Sequence, residues 1–153
     1  MPDNPLPGRW ELVSYALEDG SVPLGDQPSG TLLYTPDGYV SVHIAGTDRP
    51  RFGTRTAADG DAPHKVAAAS TYIGYCGWYE WLGDRVAHRV TVSFFPDYVG
   101  AELVRAAELA GDRLTLRAYP APVRAQRPTP VLVWRRVGPT PAGRPPDGAG
   151  QWV

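Results

Sequence analysis

The sequence predicts an all-β fold, an eight-stranded antiparallel up-and-down barrel with one short helix covering a mouth. Three observations predict it. Gly 17 and Pro 17 in 153 residues are a load that long helices cannot carry and that short strands joined by turns can. Eight segments alternate between apolar and polar residues at period two, and eight strands are the number that closes a small barrel. Three connections carry tight-hairpin residues, which make neighbours in sequence neighbours in the sheet.

The elements follow in order. A first strand is expected near 9–17, then a hairpin of strands near 31–35 and 39–45 around Thr35-Pro-Asp-Gly-Tyr39, a type I turn with glycine in the left-handed position. This turn pairs Tyr34 with Val40 and Leu32 with Val42. Residues 46–62 are polar and Gly-rich and read as a loop. The run Asp61–Tyr72, with Pro63 in a first helical turn and alanines behind it, is the helix. Strands near 75–82, 85–95, 101–109, 113–119 and 130–137 complete the set, with Gly83-Asp84 and Gly111-Asp112 as two-residue hairpin signals. The barrel domain is expected over 1–137, and the Pro/Gly-rich stretch 138–153 is expected to add nothing to it.

At this length the prior is one domain, burying ~70% of the surface of its unfolded chain, enough for a core and an internal cavity. A formal net charge of -1 gives no electrostatic reason to expect a nucleic acid or an anionic membrane as partner. One cysteine, Cys76, excludes an intramolecular disulfide and a Cys-based zinc site. With no signal-like N-terminus and no apolar run of ~20 residues, a cytoplasmic location is expected. His43, His64 and His88 fall on a strand face, a helix start and an inner face, so no metal site is expected. No phosphate-cradling glycine loop or Gly-x-Ser-x-Gly elbow occurs.

Alternation assigns the inner faces. Leu32, Tyr34, Val40, Val42 and Ile44 share one face, and His43 lies on the other. Val86, His88, Val90, Val92 and Phe94 share the inner stripe of the fifth strand, which makes His88 the ionisable residue on an apolar face. Burial would hold it neutral near pH 7, as a general base requires. A core histidine satisfied by a neighbouring hydroxyl or carbonyl has the same pattern. Leu103, Arg105 and Ala107 form the more apolar face of the sixth strand, so an inward Arg105 would meet an anion. In the reversed register it would pair with a glutamate outside. Tyr75, Tyr79 and Trp81 alternate with Cys76, Trp78 and Glu80, and Gly77 between them suits a barrel bend or a ligand passing close to the backbone.

Gly8-Arg-Trp10 before a strand is similar to the Gly-x-Trp signature of the lipocalin and calycin barrels, in which an arginine of the last strand packs over the tryptophan. That resemblance offers Arg135 or Arg136, with Arg136 favoured by alternation with Leu132 and Trp134. A longer pattern resembles the bacterial lipocalin-like domain family over 8–137. It runs through Leu33-Tyr-Thr-Pro-Asp-Gly-Tyr39, Asp48-Arg-Pro-Arg-Phe52, Tyr75-Cys-Gly-Trp-Tyr79, His88, Phe95-Pro-Asp-Tyr-Val-Gly100 with Arg105, Gly111-Asp-Arg-Leu-Thr-Leu116 and Val131-Leu-Val-Trp-Arg135. The resemblance implies a lipocalin-like barrel with an internal pocket. Small barrels of this type serve as carriers or as cofactor-free cyclases and isomerases, a fold-level analogy.

The leading expectation is an enzyme that holds a small hydrophobic, conjugated molecule and promotes a cofactor-free cyclisation or isomerisation in specialised metabolism. His88 is its base or acid, Arg105 its anion or carbonyl anchor and Tyr79 a catalytic hydroxyl. Tyr34, Val40, Val42, Tyr75, Trp81, Val90, Val92, Leu103, Leu116 and Trp134 are expected to line the ligand. The rival is a non-catalytic carrier of a similar ligand; a third possibility is a barrel filled by its own side chains that binds a partner on its outer face. No cofactor, nucleic acid or membrane is expected, and the chain is expected as a monomer or homodimer.

Overall fold

A computed structural model describes residues 3–119 and 128–138. The expected tail therefore lies, apart from Gly138, outside the described residues. Eight strands form one closed antiparallel barrel in sequence order. They are β1 (Gly8–Leu17), β2 (Ser29–Tyr34), β3 (Tyr39–Ala45), β4 (Tyr72–Trp81), β5 (Arg85–Ser93), β6 (Glu102–Ala110), β7 (Arg113–Ala118) and β8 (Pro130–Val137). The barrel closes through β1 and β8, from Arg9↔Val137 to Leu17↔Pro130.

Turn chemistry and alternation set the register as expected in the first hairpin. Tyr34 faces Val40 and Leu32 faces Val42. Gly38 takes φ 96°, and the Thr35 N–H donates to the Tyr39 carbonyl at 2.8 Å. Gly83 and Gly111 also have positive φ in their two-residue turns. β4 begins at Tyr72, three residues before the expected 75, because α1 (Ala62–Ser70) ends just ahead of it. The Asp61 carboxylate caps α1 by accepting from the His64 backbone N–H at 3.0 Å. No residue of α1 is buried, and none lines the interior cavity. Among the described residues no helix is long and apolar enough to cross a membrane.

Two β-bulges break the simple alternation. In β1, Val13 is the extra residue between Leu12↔Trp134 and Ser14↔Val133, so Val13 is exposed and Tyr15 turns inward. In β5, Thr91 is extra between Gly77↔Val90 and Cys76↔Val92. The strand changes phase there: Val90 is buried, while Val92 and Phe94 are exposed. This corrects the expectation that Val92 lines the interior, since period-two counting does not survive an inserted residue. Gly77 permits the bulge, because a Cβ there would stand 1.9 Å from the Arg89 carbonyl oxygen.

One end of the barrel is sealed. The segment before β1 crosses beneath it, where Leu6 and Trp10 have no exposed surface. The Trp10 indole N–H donates to the Leu6 carbonyl at 2.9 Å. Arg136 lies 4.2 Å from the Trp10 ring and donates to the Pro7 and Pro5 carbonyls, the arginine-over-tryptophan packing expected from the sequence. Asn4 donates to the Tyr79 hydroxyl at 2.9 Å, and that hydroxyl donates to the Thr35 carbonyl at 2.7 Å.

Candidate functional site: a cavity with a tyrosine–histidine chain and a guanidinium

Above the sealed end the barrel encloses a cavity of about 570 Å³, within the range of small-molecule sites. Its wall is built mainly from apolar and aromatic side chains. Leu32, Val42 and Ile44 come from the first hairpin, Ile73 and Tyr75 from β4, Leu103 from β6, Leu116 from β7, and Leu132 and Trp134 from β8. Polar groups on the wall include His88, Arg105, Glu102 and the tyrosines Tyr15, Tyr75 and Tyr98. The interior is thus not filled by its own side chains, the condition that separated ligand binding from a solid barrel.

His88 is buried, 2% exposed, and both ring nitrogens are engaged. Nε2 lies 2.7 Å from the Tyr34 hydroxyl and Nδ1 lies 2.8 Å from the Tyr75 hydroxyl. The three residues come from β2, β5 and β4, so the chain of polar groups ties three strands together inside the barrel. Burial pushes the His88 pKa down to about 3, with the nearby Arg105 cation acting in the same direction. Burial likewise pushes the Tyr75 hydroxyl up to about 12 and the Tyr34 hydroxyl well above its ordinary value. Near pH 7 all three groups are neutral. The core-histidine reading of His88 describes its contacts, and its place on the cavity wall keeps it beside any ligand.

Arg105 faces inward on β6, at the cavity wall, in the register expected from apolar content. Its guanidinium donates to the Val104 carbonyl at 3.1 Å. Among the described residues no carboxylate forms an ion pair with it: Glu102, three residues away and bordering the cavity, is held by Arg89 at 3.0 Å. A half-buried guanidinium without an anion is the electrostatic feature a ligand would complete.

The expected ligand-lining residues divide by depth. Val42, Tyr75, Leu103, Leu116 and Trp134 line the cavity. Tyr34 is behind His88, and Val40 and Val90 are buried in the core without reaching the cavity wall. Trp81 packs against that core half-buried, and Val92 is outside. Tyr79 is packed edge-on against Tyr34 at 4.6 Å. Its hydroxyl is spent on Asn4 and Thr35 at the sealed end, away from the cavity that Arg105 and His88 share. His43 is on the outer face as expected, bonded to the Tyr72 hydroxyl at 2.6 Å.

Sequence reasoning missed Tyr15, which the β1 bulge brings in, and Tyr98, which lies in a short turn at Pro96–Tyr98 and stacks edge-on against Tyr75 at 6.0 Å. Ala118, Tyr119, Pro128, Thr129 and Pro130, at the end of β7 and the start of β8, also line the wall. Only the order of the Phe95–Gly100 segment in the family pattern hinted at Tyr98. Among the described residues no group of three His, Cys, Asp or Glu side chains is placed to hold a metal ion.

The family model for a lipocalin-like domain matches residues 7–137. Comparison with curated proteins gives no match. Among solved structures, the barrel is similar to that of a variant of the fluorescent protein UnaG, at 14% identity and a TM-score of 0.37, with 85% of this chain and 94% of that chain covered.

Proposed function

The chain belongs to the lipocalin-like domain family, and from that premise we propose that it binds a small hydrophobic molecule with an anionic head, typically a carboxylate, inside the barrel. One observation carries this reading: the Arg105 guanidinium stands without a carboxylate partner among the described residues, at the wall of a mainly apolar cavity of about 570 Å³. Apolar walls take up the body of the ligand at about 25 cal/mol per Å² removed from water. The cation fixes which end enters last or deepest. A cytoplasmic setting, in which the single Cys76 stays reduced, fits the same reading.

The test uses 8-anilinonaphthalene-1-sulfonate as a fluorescent probe and competes it with dodecanoate and with methyl dodecanoate. The expected result is displacement by dodecanoate at concentrations at least tenfold lower than by the ester, with the preference gone in Arg105→Leu. Equal competition by acid and ester in the wild type would exclude Arg105 as an anchor, and absence of probe and ligand binding would exclude the reading altogether.

A cofactor-free cyclisation or isomerisation of a conjugated ligand is a second reading, favoured by the Tyr75 hydroxyl beside a cation at the cavity wall. That pair could stabilise charge on an enolate or phenolate oxygen. His88, with both nitrogens engaged and a pKa pushed to about 3, supports the hydroxyl rather than taking a proton from the substrate itself.

A further inference from the structure

The hydrogen-bond chain through His88 has a direction, and the direction decides what the cavity presents to its ligand. A neutral imidazole has one N–H donor and one acceptor nitrogen. One of the two tyrosines must therefore donate to the ring and the other must accept from it. Tyr34 is 2% exposed, and among the described residues its hydroxyl has no hydrogen-bond partner other than His88 Nε2. If Nε2 carried the proton, Tyr34 would accept it, and its own O–H would be buried with nowhere to donate. A buried donor left unmade disfavours that arrangement by roughly tenfold or more. Tyr34 therefore donates to Nε2, Nδ1 carries the ring proton, and Nδ1–H donates to the Tyr75 oxygen. Among the described residues the Tyr75 hydroxyl proton then has no acceptor, on a side chain that lines the cavity.

We infer that Tyr34 is a positioning residue that fixes the His88 tautomer, so that Tyr75 meets the ligand as a hydrogen-bond donor and the site takes a molecule with a carbonyl-type oxygen at that point. This deepens the proposed function and rests on it for the existence of a ligand. It makes a separate demand, however, because a neutral ketone oxygen satisfies Tyr75 without engaging Arg105 as an anion would. Burial and the Arg105 charge support the assignment by keeping His88 neutral.

The first experiment needs no ligand. In chain labelled with ¹⁵N-histidine, the ring of His88 is expected to show a pyrrole-type Nδ1 and a pyridine-type Nε2, and in Tyr34→Phe this preference is expected to weaken or reverse. A pyrrole-type Nε2 in the wild type would overturn the inference. The second experiment competes the same anilinonaphthalene sulfonate probe with 2-undecanone and with 2-methylundec-1-ene, in which a methylene replaces the carbonyl oxygen. The ketone is expected to bind about tenfold more tightly. Tyr75→Phe should abolish that preference, Tyr34→Phe should reduce it with Tyr75 intact, and Arg105→Leu should leave it standing. No preference for the ketone in the wild type would overturn the inference even if dodecanoate binds. A ketone preference that survives while dodecanoate and its ester compete equally would sustain it and remove the anionic-head reading instead.

Discussion

His88 is the residue on which the interior turns, and its ionisation links the site to stability. Folding holds its pKa at about 3, against 6.5 for the free side chain. As pH falls through 6.5 the unfolded chain takes up a proton that the folded chain refuses until about pH 3. The stability that depends on neutral His88 is therefore complete above pH 6.5 and is lost as pH falls toward 3, at up to about 1.4 kcal/mol per pH unit. Tyr75 acts at the other extreme: with its hydroxyl pushed up to about 12, the unfolded chain ionises first, and stability falls as pH rises above 10. Urea unfolding of wild type and His88→Gln across pH 4 to 7 checks the acid arm. The substitution is expected to lower stability at pH 7 and to flatten the pH slope relative to wild type. Parallel slopes would mean that His88 takes up its proton equally in both states.

At the scale of the element, the two bulges decide what the interior contains. Thr91 in β5 sends Val92 to the surface, and the equivalent step at Val13 in β1 brings Tyr15 to the cavity. The β5 bulge depends on Gly77, whose place a Cβ would fill at 1.9 Å from the Arg89 carbonyl oxygen. Gly77→Ala is expected to cost about 1–3 kcal/mol or more, because backbone rather than a flexible side chain must move, and to shift the urea midpoint accordingly; an unchanged midpoint would mean that β5 has another register within easy reach. The same positions mark how far the sequence could be read. Strand number, order and hairpin register were legible, because Gly38, Gly83 and Gly111 punctuate the alternation where the turns need positive φ. His88, Tyr75 and Arg105 were legible as inward because each lies on a stretch of strand before or away from a bulge. Val92 was misplaced because a bulge leaves no residue-type signature beyond the glycine on the neighbouring strand. Tyr98 was missed as a wall residue because alternation says nothing about turns. Tyr79 was correctly turned inward, but depth along the barrel axis is not encoded in period two, and depth is what separates its hydroxyl at the sealed end from the cavity.

For the whole molecule, the asymmetry of the two ends is what makes a cavity possible in so small a barrel. The sealed end is closed by the segment before β1, with Leu6 wholly buried beneath Trp10, Arg136 bridging the Pro5 and Pro7 carbonyls, and Asn4 tied to Tyr79. The cavity lies toward the opposite end, among Tyr15, Ile44, Ile73, Tyr98 and the residues leading into β8. The plug therefore serves stability and the open half serves the ligand, and the two should be separable. Leu6→Ala removes buried apolar volume without touching the cavity wall, at an expected cost of about 2–5 kcal/mol. For a chain of this length that corresponds to a fall in Tm of roughly 4–20 °C. Affinity for anilinonaphthalene sulfonate and the preference for dodecanoate over its ester should stay within about twofold of wild type, measured well below the lowered Tm. Saturating dodecanoate should raise the Tm of both proteins by a similar increment, since stabilisation by a ligand depends on its concentration relative to Kd and not on the starting stability. If the substitution instead weakens binding in proportion to the stability it removes, plug and cavity form one cooperative unit, and the sealed end must be counted as part of the binding site.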